Sequence, residues 1–405
     1  MLLEASARPD IACDPLQEKA AAQEAVKPAL RLRRLLVTDF RSYARADLAL
    51  DGRPVVLAGP NGAGKTNLLE AVSLLTPGRG LRGAAYNELA RKTGAGGWAV
   101  SAVLDGPMGE SRLGTGIEAA ALGGETRTRT VRIDGETQPS SGPLAHYMRQ
   151  VWLTPAMDRL FVESAGGRRR FLDRLVMGFD PSHGTRVNAY ERAMRERNRL
   201  LADGRMDNAW LTGLEEQMAS HGVAIAAARV ETVARLKGAI AVTAEGAFPK
   251  AGLALDGMME LKVASGAAVD AEDALIRLLK EGRLRDQGAG RTLEGPHRTD
   301  LLVRHSPKDM EAGACSTGEQ KALLIGLVLA NARLLARQTG AAPILLLDEV
   351  AAHLDKDRRA ALFDEIAALG TQAFMTGTDR SLFESFGPRA QSFTVSEGAL
   401  EESAL

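Results

Sequence analysis

The sequence has little of the features that mark disulfide-rich, membrane or strongly basic proteins. Its 405 residues include two cysteines, Cys13 and Cys315, which excludes a disulfide framework and fits a reducing cytosol. No stretch approaches the ~18 apolar residues that a membrane-spanning helix needs. Basic and acidic residues number 51 each, so no overall basic field attracts nucleic acid. We therefore expect a cytoplasmic protein with no membrane partner.

The first 28 residues differ in composition from the rest. They lack the apolar centre of a secretory signal and hold too many acidic residues for a transit peptide. Because this segment is rich in alanine and mixed in charge, we predict a disordered tail at residues 1–28. The whole chain is 45% apolar and 25% charged, which is typical of a globular protein, and it is long enough for two domains.

The most informative segment runs from Gly59 to Thr66 and matches the phosphate-binding pattern G-x-x-x-x-G-K-[ST]. A buried strand is predicted before it and a helix after it, which disfavours the alternative of a Gly-rich turn. Curled backbone N–H groups and a helix N-terminus attract phosphate. We expect Lys65 to reach the β and γ phosphates of ATP and Thr66 to ligate Mg²⁺. The other expected nucleotide contacts are Gly59, Pro60, Asn61, Gly62, Ala63 and Gly64.

A hydrophobic strand at residues 344–347 ends in two carboxylates, Asp348 and Glu349. Such a run fits a central parallel strand that delivers acidic groups to its C-terminal edge. There we expect Asp348 to hold Mg²⁺ through water and Glu349 to polarise an attacking water. A core strand followed by a solvated acidic turn is the alternative, which the phosphate loop disfavours.

A third motif, at residues 316–321, precedes a long apolar-periodic helix that runs to about Arg337. Ser316 and Glu319 have the spacing of a capping box. The pattern S-x-G-[EQ]-[QK] also resembles the signature of ABC-type ATPases, which contacts the γ-phosphate of nucleotide on a second subunit. The resemblance implies catalytic roles for Ser316 and Gly318. Because a signature cannot reach its own chain's γ-phosphate, we predict an ATPase that dimerises.

Two further segments resemble ABC ATPase elements. Residues 352–355 resemble the D-loop, which implies a role in catalysis for Asp355. Residues 373–378 form a predicted strand that ends in hydroxyl residues, where ABC ATPases usually have a switch histidine. Thr376 or Thr378 stands there, and we take Thr376 as the candidate γ-phosphate sensor. Gln150 is the candidate for the Q-loop glutamine.

The order of periodic segments predicts an α/β protein with an inserted helical part. Strand-like runs occupy residues 30–58, hairpins 97–135, and strand–helix alternation 343–395. Helical periodicity extends from about 164 to 290, with one strand-like piece at about 252–263. The resemblance to ABC-type ATPases implies the fold class: an ABC-type ATPase head, with a mixed sheet, flanking helices and an antiparallel β subdomain, plus a mainly helical second domain. The predicted parts are the head at 29–160 and 291–405 and the helical lid or arm at 161–290.

Arginines are concentrated between Arg159 and Arg205, where eleven stand against six acidic residues. Two interpretations are open: solvated helix faces, or a local footprint for a phosphate backbone. The arginines are Arg159, Arg168, Arg169, Arg170, Arg174, Arg186, Arg192, Arg195, Arg197, Arg199 and Arg205. His297, beside a proline in a loop, is open between a structural role and a role in nucleotide sensing or DNA contact.

Residues beyond the generic ATPase motifs resemble the RecF family of bacterial DNA replication and recombinational repair ATPases. Residues 38–43 resemble its N-F-R-S-Y element, which implies a nucleotide contact for Arg41. Residues 167–173 resemble its R-R-x-F-L-D element. Residues 294–301 resemble x-G-P-H-R-D-D-L, with Thr299 where an aspartate is usual.

The resemblance implies an ATP-dependent homodimer with two ATP molecules sandwiched between phosphate loops and opposing signatures. It implies binding to single-stranded DNA and single-strand/double-strand junctions, and work with the RecR and RecO mediators to load recombinase at gaps during the response to DNA damage (the SOS response). We expect slow, DNA-stimulated ATP hydrolysis. The alternatives are an ABC transporter subunit and a chromosome-organising ATPase of the SMC kind. The long insert disfavours the first, and the absence of sustained heptads disfavours the second.

Overall fold

The computed structural model describes residues 30–119, 128–204 and 207–404, so the predicted tail at 1–28 lies outside the described residues. The strands are β1 (Arg31–Phe40), β2 (Tyr43–Ala49), β3 (Val55–Ala58), β4 (Trp98–Gly106), β5 (Gly109–Ile117), β6 (Thr130–Ile133), β7 (Glu136–Gln138), β8 (Gln150–Leu153), β9 (Ala251–Asp256), β10 (Asp300–His305), β11 (Met310–Glu311), β12 (Ile344–Leu347), β13 (Ala373–Gly377), β14 (Gln391–Ser396) and β15 (Ala399–Ser403). The helices are α1 (Lys65–Ser73), α2 (Leu144–Tyr147), α3 (Ala165–Phe179), α4 (His183–Ala202), α5 (Asn208–Ala241), α6 (Met258–Ser265), α7 (Ala268–Glu281), α8 (Arg283–Ala289), α9 (Thr317–Thr339) and α10 (Lys356–Leu369).

A mixed six-stranded sheet in the order β15-β14-β3-β13-β12-β8 carries the predicted ATP-binding motifs. All its neighbouring pairs are parallel except β14 with β15. The residues of β3 and β12 are all buried, as expected for central strands covered on both faces. Since β3 ends at the phosphate loop and β12 ends at Asp348, the two motifs meet at one edge of the sheet.

An antiparallel six-stranded sheet in the order β2-β1-β4-β5-β6-β7 packs against the mixed sheet and α1. The hairpins predicted at residues 97–135 are confirmed: β4 pairs with β5, β5 with β6 and β6 with β7. The hairpin of β6 and β7 has its turn at Asp134 and Gly135, whose φ angles of 51° and 89° are those of a tight hairpin turn. The shared core contains Leu35, Leu57 and Leu346.

The helical part has its own core between α4, α5 and α7, which includes Tyr190, Leu211 and Leu275. The helix predicted at 210–240 is confirmed as α5, whose start is capped by Asp207. The strand predicted at 252–263 is wrong beyond β9. The pairing of β9 with β10 stops at Asp256, and the next eight-residue segment, rich in helix-forming Met, Glu, Leu and Lys, forms α6.

The long helix predicted after residue 316 is α9, and it is a core helix. Ser316 accepts from the Glu319 backbone N–H while the Glu319 carboxylate accepts from the Ser316 backbone N–H, so the predicted capping box is confirmed. Within the described part of the chain, α9 is the one helix that is long and apolar enough to cross a membrane. Two-thirds of its most apolar window is buried inside the protein, as in the central helix of a globular core.

Candidate nucleotide-binding site

The phosphate loop makes its turn through glycines that no other residue could replace without movement. A Cβ on Gly59 would lie 2.1 Å from the backbone oxygen of Val395 on the neighbouring strand. Gly64 has a φ of 112°, and a Cβ there would lie 2.7 Å from the Tyr43 hydroxyl. α1 begins directly after this position, so its free backbone N–H groups border the loop.

Lys65 folds back onto its own loop. Its side chain is buried, and its Nζ donates to the backbone oxygens of Gly59 at 2.6 Å and Pro60 at 2.9 Å. Burial lowers the pKa of Lys65, and the nearby Glu349 and Asp348 carboxylates oppose that shift. The ammonium group therefore lies against the loop, where the oxygens of a bound phosphate could replace the two carbonyl oxygens as its hydrogen-bond acceptors.

Two hydroxyls from distant parts of the sequence converge on one carboxylate oxygen. The Thr66 hydroxyl donates to Asp348 Oδ1 at 2.8 Å, across 282 residues of sequence. The Thr376 hydroxyl donates to the same oxygen, also at 2.8 Å. A hydroxyl and a carboxylate at this spacing suit Mg²⁺, which prefers oxygen ligands and takes several of them from substrate phosphates and water.

The arrangement leaves room for such shared ligation. Among the described residues, no group of three or more His, Cys, Asp or Glu side chains could hold a metal ion by itself. Thr66 and Asp348, the two metal ligands predicted from the sequence, are therefore a partial set that fits a metal brought with its nucleotide.

Glu349 combines an unusual backbone with a free carboxylate. Its φ of 53° and ψ of 21° are left-handed, which is uncommon for a residue with a side chain and is frequent at active sites. Its backbone N–H donates to the Thr376 hydroxyl at 2.8 Å. The half-buried carboxylate has no hydrogen bond or ion pair with any residue that the structure describes, so it is available to polarise a water.

The two candidate switch threonines have different environments. Thr376 lies inside β13, is 1% exposed, and joins Asp348 to the Glu349 backbone. Thr378 follows the strand and is exposed. The structure thus places Thr376 in contact with both Asp348 and Glu349, where its hydroxyl holds the two residues in position.

The signature residues lie on the surface. Ser316 and Gly318 are exposed at the start of α9, and within the described ranges neither forms a hydrogen bond with the phosphate loop. Asp355 is exposed too and caps α10 by accepting from the Arg358 backbone N–H at 2.8 Å. All three predicted residues are therefore accessible to a second molecule.

Arg41 is held beside α1 by a carboxylate that sequence reasoning missed. Glu70 is fully buried and receives two bonds from the Arg41 guanidinium, at 2.8 and 2.9 Å, and one from Arg82 at 3.3 Å. The available signal was the lone acidic residue within the apolar run of α1. Paired charges of this kind fix Arg41, at a φ of 54°, against the turn of α1 that follows Thr66.

Gln150 is not part of the site. It begins β8, at the end of the parallel sheet opposite to Asp348, and its amide donates to the Ser73 backbone oxygen at 2.6 Å at the C-terminus of α1. The sequence interpretation was wrong because the glutamine precedes the strand, whereas the site lies where the strand ends. His297 contacts the Tyr190 hydroxyl and the Thr292 carbonyl through its two ring nitrogens, which is a structural role.

The arginine-rich segment divides into buried and exposed members. Arg197 is fully buried against Glu215 and Asp286, so neither open interpretation applies to it. Arg168 pairs with Asp300 at 2.7 Å, which joins the two elements at 167–173 and 294–301. The members that remain exposed on one face of α4, at helical spacing, are Arg192, Arg195 and Arg199. Arg205 lies outside the described residues.

Comparison with known proteins agrees with these motifs. Residues 31–399 match the family model described as RecF/RecN/SMC N terminal domain. The chain is 58% identical over 372 residues to the DNA replication and repair protein RecF of Rhizobium johnstonii, which covers 92% of this chain and 98% of that protein. The chain belongs to the RecF family. The RecF protein of Agrobacterium fabrum is 56% identical over 371 residues, covering 91% of this chain and 98% of that one.

Solved structures confirm the predicted fold class. A structure described as the recombination mediator protein RecF-ATP in the RecFOR pathway superposes with a TM-score of 0.79 and 22% identity, covering 94% of this chain and 100% of that one. An SMC head domain from Pyrococcus furiosus gives a TM-score of 0.52 and 14% identity, covering 93% and 96%. The RecF family fold is thus an ATPase head of the SMC type, and the transporter-subunit alternative finds no support in these matches.

Proposed function

We propose that this RecF family member is an ATP-binding protein of DNA replication and recombinational repair that dimerises on ATP and binds DNA. In this proposal ATP lies on the loop from Gly59 to Thr66, with Lys65 on its phosphates. Thr66 and Asp348 hold Mg²⁺, which supplies charge neutralisation for the phosphates when bound. The 2.8 Å contact between these two side chains supports the pairing.

The observation that carries the proposal is the exposed start of α9. Ser316 and Gly318 face solvent and make no bond to the phosphate loop within the described ranges. The capping box takes up the backbone N–H groups of Ser316 and Glu319, and the Gly318 N–H, which is not part of it, is left to bind an anion at this helix N-terminus. A second copy, with ATP on its loop, would meet that charge with a γ-phosphate. Two such contacts related by a two-fold axis would close a dimer.

The test separates ATP binding from dimerisation. Replacing Lys65 with Met should abolish both, because the loop loses its phosphate ligand. Replacing Ser316 with Arg should leave monomeric ATP binding within about two-fold and abolish the dimer, because it adds bulk at the facing pocket. Both are read by fluorescent-nucleotide titration and by gel filtration with ATP and Mg²⁺. A Ser316→Arg protein that still dimerises would remove the signature from the interface.

Hydrolysis is proposed to be slow and DNA-stimulated. Glu349 would orient the attacking water, and Thr376 would hold Asp348 and the Glu349 backbone in place. A threonine hydroxyl carries no charge near neutral pH, unlike the histidine usual in ABC ATPases, so it gives less stabilisation to a γ-phosphate that gains charge. Slow turnover suits a protein that acts mainly through its ATP-bound dimer, because slow hydrolysis prolongs the lifetime of that dimer.

DNA binding and mediator partners complete the proposal. The exposed arginines of α4 offer a phosphate-backbone contact, at single-stranded DNA and at single-strand/double-strand junctions. RecR and RecO type mediators, recombinase loading at gaps, and a cytoplasmic location remain predictions from the family. The division into a head and a helical lid or arm at 161–290 is likewise kept as a proposal.

A further inference from the structure

A cavity of about 210 Å³ lies at the end of the mixed sheet where β8 and β12 begin, opposite to the end that carries the phosphate loop. Arg149, which precedes β8, and Ala342, which precedes β12, line it. The four residues of β12 separate this end from Asp348 by roughly 13 Å. The cavity is therefore distinct from the nucleotide site, although both border β12.

Arg149 lines this cavity without a partner. Its Nε is buried and unbonded, and its guanidinium makes no ion pair or side-chain hydrogen bond with any described residue. Burial lowers the pKa of Arg149, with no carboxylate to oppose the shift. A half-buried charge without a counterion is unfavourable, so the site favours binding of an anion.

Other buried arginines of the molecule show what is missing at this position. Arg197 is paired with Glu215 and Asp286, and Arg229 with Asp173 and Glu260. Arg174, which has no carboxylate partner among the residues described, stacks 4.3 Å from the centre of the Trp152 ring instead.

Four polar side chains besides Arg149 line the cavity: the Thr339 hydroxyl already donates to the Leu335 and Ala341 backbone oxygens, and the other three can donate to a ligand. The hydroxyls of Ser111 and Tyr147 make no hydrogen bond with any residue in the described ranges, and His146 adds an imidazole. No aspartate or glutamate is among the described lining residues. One unpaired cation, two hydroxyls that can donate and no acidic side chain form a set that suits the oxygens of an anion.

We propose that this cavity binds a small oxyanion, a phosphate or carboxylate group, through the planar fork of Arg149 with Ser111 and Tyr147 as further donors. The volume is below the roughly 300 Å³ at which sites for drug-sized molecules begin, so the ligand is a small anion or the charged end of a larger one. This site does not depend on the proposed ATPase function.

The experiment measures thermal unfolding of the full chain in sodium phosphate, sodium acetate and sodium chloride at equal ionic strength. The Lys65→Met variant serves as parent, because the phosphate loop itself takes phosphate. Phosphate also stabilises proteins by exclusion from their surface, so the readout is the difference between variants. Arg149→Met in this parent should lose at least three-quarters of the saturable rise in unfolding temperature. Arg277→Met should keep it, because Arg277 is exposed and forms no ion pair within the described part of the chain.

The two anions distinguish the ligand. A saturable rise with phosphate alone assigns a phosphate group, and a rise with acetate alone assigns a carboxylate. In chloride, Arg149→Met should unfold at or above the parent temperature, because it removes an unpaired charge. If Arg149→Met does not fold, Arg149→Lys keeps the charge without the fork and should halve the response or more. Equal anion responses in the parent and the Arg149 variants would overturn the proposal.

Discussion

At the scale of single residues, Thr376 is the side chain whose position says most about hydrolysis. Its hydroxyl joins the Asp348 carboxylate to the Glu349 backbone, and it has no charge to offer a phosphate. Thr376→Val keeps the shape and removes both bonds. We expect single-turnover hydrolysis in the DNA-bound dimer to fall at least 10-fold, and Thr378→Val, at the exposed neighbour, to change it less than two-fold.

The paired variants make that prediction specific. Nucleotide affinity, measured before turnover, should change by less than about three-fold in Thr376→Val, because the loop and Lys65 remain. If neither threonine variant alters the hydrolysis rate, Thr376 does not position Asp348 and Glu349 for the reaction, and the γ-phosphate is sensed by another group. His297 is then a poor substitute, since its two nitrogens are already engaged.

His297 provides a second prediction, on pH and stability. Burial lowers the pKa of His297 to about 4, partly opposed by its bond to the Thr292 carbonyl and reinforced by Arg169. The unfolded chain, with a pKa near 6.5, therefore binds the proton first as pH falls. Stability from this group is present above about pH 6.5 and is lost between 6.5 and 4, by about 3 kcal/mol.

The comparison variant is His297→Gln, which cannot titrate. Urea unfolding at pH 7, 5.5 and 4 should show the parent losing about 3 kcal/mol more than the variant over that range. Other groups titrate equally in both proteins, so their contribution cancels. Parallel curves for the two proteins would show that His297 is not buried as a neutral ring.

Which residues were predictable from the sequence follows from how local their signals are. The phosphate loop is contiguous, so Gly59 to Thr66 could be assigned without a structure. Glu70 could not, because its partners Arg41 and Arg82 lie 29 and 12 residues away and only the fold brings them together. Thr376 was predicted near the γ-phosphate, but its hydrogen bonds to Asp348 and to the Glu349 backbone required the register of β12 against β13.

At the scale of elements, a buried ionic joint ties three helices of the helical part to the segment that precedes β10. Arg229 on α5 bonds Asp173 on α3 at 2.8 Å, Glu260 on α6 at 3.1 Å and the Pro296 backbone oxygen at 2.7 Å. Arg229→Met leaves two buried carboxylates without that partner. We expect a loss of about 3–5 kcal/mol in the free energy of unfolding by urea, with Arg277→Met as an unchanged control.

A double variant tests whether the ionic joint stabilises the fold through charge. Glu260→Gln added to Arg229→Met removes one of the stranded charges, so the double variant should regain part of the lost stability. A loss in the double variant equal to the sum of the two single losses would indicate that Arg229 acts through the packing of its stem, and not through its charge.

Element prediction succeeded where periodicity and pairing agreed. The hairpins at 97–135 and the helix α5 were predictable because alternation and helical spacing each persist over many residues. The strand predicted at 252–263 failed in its second half because β10 offers no partner beyond Asp300, and a segment without a partner strand follows its helix propensity. The arginine-rich segment was ambiguous, since burial of Arg197 depends on Asp286, 89 residues further on.

At the scale of the whole molecule, the exposed arginines of α4 are the proposed DNA-binding surface in a chain of zero net charge. Replacing Arg192, Arg195 and Arg199 together with Ala should weaken DNA binding. The slope of log affinity against log salt should fall by about one for each DNA phosphate that the protein no longer neutralises. Affinity of the monomer for ATP should stay unchanged. An unaltered slope would move the DNA surface elsewhere, with the exposed Arg79 the next residue to replace.

The central claim is that two chains share each ATP site, and sedimentation velocity of Glu349→Gln protein tests it most directly. The Glu349 carboxylate makes no hydrogen bond or ion pair with any described residue, so the amide should preserve ATP binding while slowing hydrolysis, and the dimer should accumulate. With saturating ATP and Mg²⁺ the protein should sediment as a dimer, and without nucleotide as a monomer. A monomer at saturating ATP and Mg²⁺ would contradict the claim.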